Sequence, residues 1–126
     1  MPYEIDFRDN IPIFLQIIDG IKIDIAKGEL KAGDRILSIR EMSKLLQVNP
    51  TTVGRAYQEL EREGITVMKR GLGVYITEDS DKLINLKSYL AEGYISDFVV
   101  NMSSIGYKGT EIIEPLTNYL HSNEEG

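Results

Sequence analysis

The sequence predicts a mainly α-helical chain with one small β-hairpin, three helices preceding the hairpin and two following it. Three observations carry this reading. Apolar residues recur at helical spacing along most of the chain, helix-capping residues mark the starts and stops, and two β-prone runs flank a glycine-containing turn. A length of 126 residues fits one compact domain, or a small domain with an appendage. Hydrophobic residues make up 42% and charged residues 27%, a composition that supports a packed core.

The first helix is expected from about Ile13 to Lys27, with Phe14, Ile17, Ile18, Ile21 and Ile25 on one face. Pro12 suits its first turn, and Gly28 suits the left-handed position just past its end. After the loop GELKAGD, Ser38 and Glu41 read as a capping box that opens a second helix. That helix is expected to bury Ile39, Met42, Leu45 and Leu46 and to stop near Gln47, because Val48-Asn49-Pro50 supplies a new cap and a proline.

A third helix then runs from Asn49 as cap and Pro50 to about Glu63, closed by Gly64. Val53, Ala56, Tyr57 and Leu60 form its apolar stripe; Thr51, Arg55, Gln58 and Arg62 lie opposite, with Thr52 on the flank. The hairpin is expected from Ile65–Met68 and Gly73–Thr77 around Lys69-Arg70-Gly71-Leu72. From Asp79 or Ser80 the pattern is helical again, with Leu83, Leu86, Leu90 and Tyr94 on one side. The stretch from Gly106 to Gly109 breaks it, and Ile112, Ile113, Leu116, Tyr119 and Leu120 define a last amphipathic helix containing Pro115.

Three helices, a tight break between the second and third, and a hairpin after them form the order of a winged helix-turn-helix. Its third helix fits the major groove of B-DNA, and its hairpin reaches the adjacent backbone or minor groove. Asn49, Thr51, Thr52 and Arg55 stand at the cap and first turns of that helix, where base edges and phosphates are met, and Arg40 approaches from the start of the second helix. The net charge of −6 opposes this reading until its distribution is considered. Residues 31–77 carry three more bases than acids, whereas residues 80–126 carry four more acids than bases. The helix-turn-helix segment is therefore the basic part of an acidic chain.

Residues 11–79 resemble the DNA-binding domain of the GntR family. The resemblance rests on Gly33-Asp34-Arg35-Ile36, Ser38-Ile39-Arg40-Glu41-Met42, Val48-Asn49-Pro50-Thr51-Thr52-Val53, Arg55-Ala56-Tyr57, Leu60-Glu61 and Gly71-Leu72-Gly73-Val74-Tyr75. It implies DNA contacts at Arg35, Ser38, Arg40, Thr51, Thr52, Arg55 and the wing tip Arg70-Gly71-Leu72-Gly73, to which the basic hairpin adds Lys69. The family usually has proline where this chain has Leu37, a departure that bears on how tightly the loop before the second helix is held, while Ser38 and Arg40 keep their spacing. Most members carry a large C-terminal effector domain, and here about 47 residues, 80–126, follow the wing. That shortness resembles the YtrA subfamily and implies a homodimeric repressor, often of a transporter operon, that binds a palindromic operator. Two short amphipathic helices over 80–122 would serve as a dimerisation segment through Leu83, Leu86, Leu90, Tyr94, Ile112, Ile113, Leu116 and Leu120.

No enzyme is expected. The chain has no cysteine, and its single histidine, His121, lies beside a polar tail, so thiolate chemistry, a common zinc site and a serine triad lack their usual parts. Neither a cofactor nor a metal is expected, and no effector is identified. The glycines at 71 and 73 do not precede a helix and so do not form a nucleotide loop. Tyr89, Tyr94, Phe98, Tyr107 and Tyr119 read as core or interface rather than a ligand site. The N-terminus MPYEIDFRDN lacks a basic stretch followed by an apolar core, and no run approaches a membrane span, so the cytoplasm is the expected address. The competing reading is a winged helix used only for protein contacts.

Overall fold

Residues that cap, turn and point inward in the sequence do so in the computed structural model, which describes Phe7 and residues 10–123. The reading of the N-terminal ten residues lies outside the described residues except at Phe7 and Asn10. Helix α1 (Ile13–Lys27) follows Pro12, whose carbonyl accepts from the Leu15 amide at 3.1 Å, and ends at Gly28 with φ 84°. Gln16 is buried at its start and donates from Nε2 to the Ile11 carbonyl at 2.8 Å. Ile17, Ile18, Ile21 and Ile25 are buried as expected, and Phe14 is half-buried.

Helix α2 (Ile39–Leu46) opens on the capping box: Ser38 Oγ accepts from the Glu41 amide at 3.1 Å, and the Ser38 amide donates to Glu41 Oε1 at 2.9 Å. It ends at Gln47, a non-glycine residue in left-handed backbone with φ 55°. The break to the next helix is fastened by Ser43, whose hydroxyl donates to the Val48 carbonyl at 2.5 Å while its own carbonyl accepts from the Val48 amide at 3.1 Å. Of the four residues expected to be buried in α2, Met42 is fully so, and Ile39 and Leu46 are half-buried. Leu45 is 55% exposed, and Ser43 is buried instead. At about 100° per residue Ile39, Met42, Ser43 and Leu46 share one arc facing the core, and Leu45 lies roughly 110° from its centre.

Helix α3 (Pro50–Arg62) is capped by Asn49, whose Oδ1 accepts from the Thr51 amide at 2.8 Å. Val53, Ala56, Tyr57 and Leu60 are buried, packing α3 against α1 and α2. Strands β2 (Thr66–Lys69) and β3 (Gly73–Ile76), named here after a preceding short strand β1 (Arg35–Ile36), make the expected hairpin. Lys69 pairs with Gly73, and the Leu72 amide closes the tip on the Lys69 carbonyl at 2.8 Å. The sheet has a third member that periodicity does not reveal: β1 pairs antiparallel with β3, giving the order β1-β3-β2. Two residues are too few to show an alternation. Ile36, Thr66, Val74 and Ile76 on the inner face complete the core.

The chain divides into two compact units, one reaching to Lys87 and one beginning at Ser88, so the boundary falls inside the long helix α4 (Ser80–Ser104). In the first unit, Leu86 is buried and the Lys82 side chain lies over Gly64 at the end of α3. The second unit holds the rest of α4, a 3-10 turn (Gly109–Ile112) and helix α5 (Ile113–Ser122). The two short helices expected here are thus one helix of 25 residues and one of 10. Gly106 and Gly109, with φ 104° and 53°, make the break between them. Ile112 belongs to the 3-10 turn, and Pro115 falls in the first turn of α5, where its missing N–H has no helical partner to lose. Among the described residues no helix is long and apolar enough to cross a membrane.

Candidate nucleic-acid interface

The exposed face of α3 is prepared by its own cap and core. Because Val53, Ala56, Tyr57 and Leu60 point inward, Thr51, Arg55, Gln58 and Arg62 point outward, with Thr52 half-buried between the two faces. The two arginines are held differently. Arg62 donates through both Nε and Nη2 to the Glu59 carboxylate, which lowers the pKa of Glu59 and raises that of Arg62. Arg55 makes no ion pair among the described residues; its guanidinium carbon stands 3.9 Å from the ring centroid of Phe14 on α1. Arg55 also borders an open groove of about 710 Å³ shared with Ile39, Thr51, Gln58, Thr66 and Met68, which brings the head of α2, the outer face of α3 and β2 to one place.

Arg40 is exposed at the second position of α2, next to the capping box. Glu41 beside it is held below the usual carboxylate range by the Ser38 amide and then by the Ser38 hydroxyl. The Ser38 hydroxyl is therefore engaged in the α2 cap, through the Glu41 amide and the Glu41 carboxylate. Asn49 is likewise committed, through Oδ1, to the α3 cap. Leu37 is tied into this region: its carbonyl accepts from the Tyr57 hydroxyl at 2.6 Å, and the residues on either side belong to β1 and to the α2 cap.

On the wing, Lys69, Arg70, Gly71 and Leu72 are exposed. Gly71 has φ 76° and open space where a side chain would stand. Gly73, with φ 128°, serves a close approach: a Cβ there would lie 2.8 Å from Arg35 Nε. Lys69 Nζ sits 4.6 Å from the centroid of the Tyr75 ring, and Tyr75 pairs with Arg35 across β1 and β3. The outer face of the sheet thus carries two cations, one on an aromatic ring and one in a glycine notch. Sequence spacing does not mark Phe14 or Tyr75 as site residues. Phe14 shares its spacing with core isoleucines and lies far from Arg55 in the chain, so no local signal separates it; Tyr75 reads as an ordinary strand residue until β1 is placed beside it.

The expected dimerisation residues lie in two environments. Leu86 and Ile112 are each only 7% exposed, so the chain itself already covers them. Leu83 and Leu90 are half-buried, while Tyr94, Ile113, Leu116 and Leu120 are exposed. Tyr89, Ile95, Val100, Ile105 and Tyr119 are exposed as well. Among the described residues no group of three or more histidine, cysteine or acidic side chains converges as a metal site would require.

The family described as bacterial regulatory proteins, gntR family, matches residues 14–76. The chain is 36% identical over 113 residues to the uncharacterized HTH-type transcriptional regulator YhcF of Bacillus subtilis, covering 90% of this chain and 93% of that protein. It is 46% identical over 90 residues to the HTH-type transcriptional repressor YtrA of Bacillus subtilis, covering 71% of this chain and 65% of YtrA. Among solved structures, a GntR family transcriptional regulator from Listeria monocytogenes superposes with a TM-score of 0.84 at 39% identity, covering 89% of this chain and 98% of that one.

Proposed function

We propose that this chain, which belongs to the GntR family of bacterial regulatory proteins and to its YtrA-like branch, represses transcription by binding a palindromic operator as a homodimer. It is a DNA-binding transcription regulator, and one observation carries the more specific reading. The outer face of α3 offers Thr51, Arg55 and Gln58 together, exposed and opposite a fully buried stripe, so the helix can enter a major groove without disturbing the core. Arg40 at the head of α2 and Lys69 and Arg70 on the wing supply cations for phosphates on either side of such a groove. Arg35, seated against Gly73, adds a further cation at the wing.

The dimer is supported by the second unit, whose helices leave Tyr94, Ile95, Ile113, Leu116 and Leu120 in solvent. Apolar surface of that extent on a small unit is relieved by pairing with a second copy. A two-fold dimer presents two α3 helices to two inverted half-sites, which is the reason for expecting a palindrome. Repression follows the similarity to YtrA. The protein acts by binding rather than by catalysis, with no cofactor.

The test is enrichment of duplexes from a random library by the full-length protein, followed by sedimentation. An inverted repeat bound by a dimer with steep salt dependence is expected. Absence of any enriched sequence would return the chain to the protein-contact reading, and a monomer bound to a single half-site would remove the dimer.

A further inference from the structure

We propose that Phe14 of α1 is a positioning residue for DNA recognition: its ring fixes the plane of the Arg55 guanidinium and so decides which base edge Arg55 meets. The inference rests on the reading of α3 as the helix that enters the groove. Its starting point is the 3.9 Å separation between the Arg55 guanidinium carbon and the Phe14 ring centroid, a stacking distance.

A guanidinium has two faces and an edge, and its five N–H groups all lie in the plane of the edge. Stacking on a ring engages a face and leaves every donor available. The contrast with Arg62, about two helical turns along α3, is direct, since Arg62 gives Nε and Nη2 to Glu59 and has that side of its edge occupied. Of the two arginines on the outer face of α3, Arg55 is the one that is oriented with its Nε–Nη2 side open for a two-pronged contact with a guanine or a phosphate.

The platform is itself held in place. Phe14 is the second residue of α1, and the start of that helix is fixed by the Pro12 carbonyl, which accepts from the Leu15 amide at 3.1 Å, and by the buried Gln16 side chain, which donates to the Ile11 carbonyl at 2.8 Å. Ile17 and Ile18, immediately after, are buried and anchor the helix against α3. Phe14, Arg55, Gln58, Glu59 and Arg62 line one shallow cleft. Glu59 feels the charge of Arg55, whose guanidinium stands over the ring while Arg62 holds that carboxylate. Helix α1 thus supplies the orientation of a contact that α3 makes.

The experiment uses the full-length protein with Phe14 replaced by mono-, di- and trifluorinated phenylalanine, and with Phe14→Tyr and Phe14→Leu. Fluorine withdraws charge from the ring face while preserving its shape, so folding is kept and only the attraction for the cation falls. The probes are the duplexes enriched by the unaltered protein and their single-base variants. Discrimination at the positions lost in Arg55→Ala should fall stepwise with fluorine number, by about two- to fivefold in total, with Tyr retaining it and Leu losing it. In an Arg55→Ala background the fluorine series should be flat. Discrimination independent of fluorine content would overturn the role of Phe14 while leaving DNA reading by α3 intact; an Arg55→Ala protein with unaltered base preference would overturn the role of Phe14 together with base reading by Arg55. Failure of the unaltered protein to enrich any duplex would instead remove the reading on which the inference stands.

Discussion

The Tyr57 hydroxyl donates to the Leu37 carbonyl at 2.6 Å, tying the middle of α3 to the residue just before the α2 cap. Tyr57 is buried through its ring and reaches the loop only with its oxygen. Tyr57→Phe keeps the ring in the core and leaves the Leu37 carbonyl without this donor, so it should destabilise the chain by about 0.5–1.5 kcal/mol. Urea unfolding measures this. An unchanged midpoint would mean that the loop is held by β1 and the Ser38 cap alone.

Two carboxyl groups should respond to pH in opposite senses. Burial in α1, and secondarily the charge of Glu29, raises the Asp24 pKa. Its contribution to folding is therefore present below the ordinary aspartate value and is lost as pH rises through the raised one. Glu41 is lowered by the Ser38 amide and hydroxyl, so its contribution is present above the ordinary glutamate value and is lost as pH falls through the lowered one. Relative to the parent chain, Asp24→Asn should gain stability near neutral pH, and Glu41→Gln should lose it there and recover in acid. Thermal melts from about pH 3 to about pH 7 bracket both ordinary values; parallel curves for the parent and either variant would contradict the assignment for that residue.

Much of the fold is legible in the sequence because its punctuation is local. Pro12, Gly28, the Ser38–Glu41 box and the Asn49-Pro50 start each act within one helical turn, and each does in the structure what its chemistry requires. What escapes is whatever depends on residues distant in the chain. Strand β1 is fixed by pairing with β3 rather than by pattern, and which arc of the short helix α2 faces the core, leaving Leu45 out of it, is set by how α2 packs on α3. The same limit governs the candidate site. Arg55 and Arg40 can be picked from spacing, and the Glu59–Arg62 pair lies one turn apart on α3, but Phe14 as the partner of Arg55 appears only when α1 is packed against α3.

The C-terminal unit separates residues that the sequence pattern groups together. Leu86 and Leu116 both stand on apolar stripes, yet Leu86 is covered within the first unit and Leu116 faces solvent. Leu86→Ala should cost about 2–5 kcal/mol, the usual range for removing a buried leucine side chain, with no direct effect on self-association. Leu116→Asp and Tyr94→Asp should leave the first unit folded and produce monomers. Sedimentation paired with denaturant unfolding distinguishes the two classes. Dimers of undiminished strength in both aspartate variants would move the interface elsewhere.

The last prediction separates base reading from phosphate binding by the way each cation is mounted. Arg55 projects from a helix whose opposite face is fully buried and rests on an aromatic ring, so its direction is defined. Arg55→Ala should cost about 1–3 kcal/mol at one symmetric pair of operator positions, with little effect on stability. Arg70 stands in the turn at the wing tip, and Lys69 lies over Tyr75 at the end of β2. A point charge on a hairpin meets phosphates whatever the base beneath, so Lys69→Ala and Arg70→Ala should weaken all duplexes alike and each lower the salt slope by about 1 per subunit, or about 2 for the dimer. Arg40 leaves α2 beside its cap and can reach either kind of group, so Arg40→Ala is expected to lower both the salt slope and the discrimination. Binding to single-base operator variants at several salt concentrations resolves all four. If Arg55→Ala changed the salt slope and no base preference, while Lys69→Ala and Arg70→Ala altered preference at single positions, the reading parts of α3 and the wing would have to be exchanged.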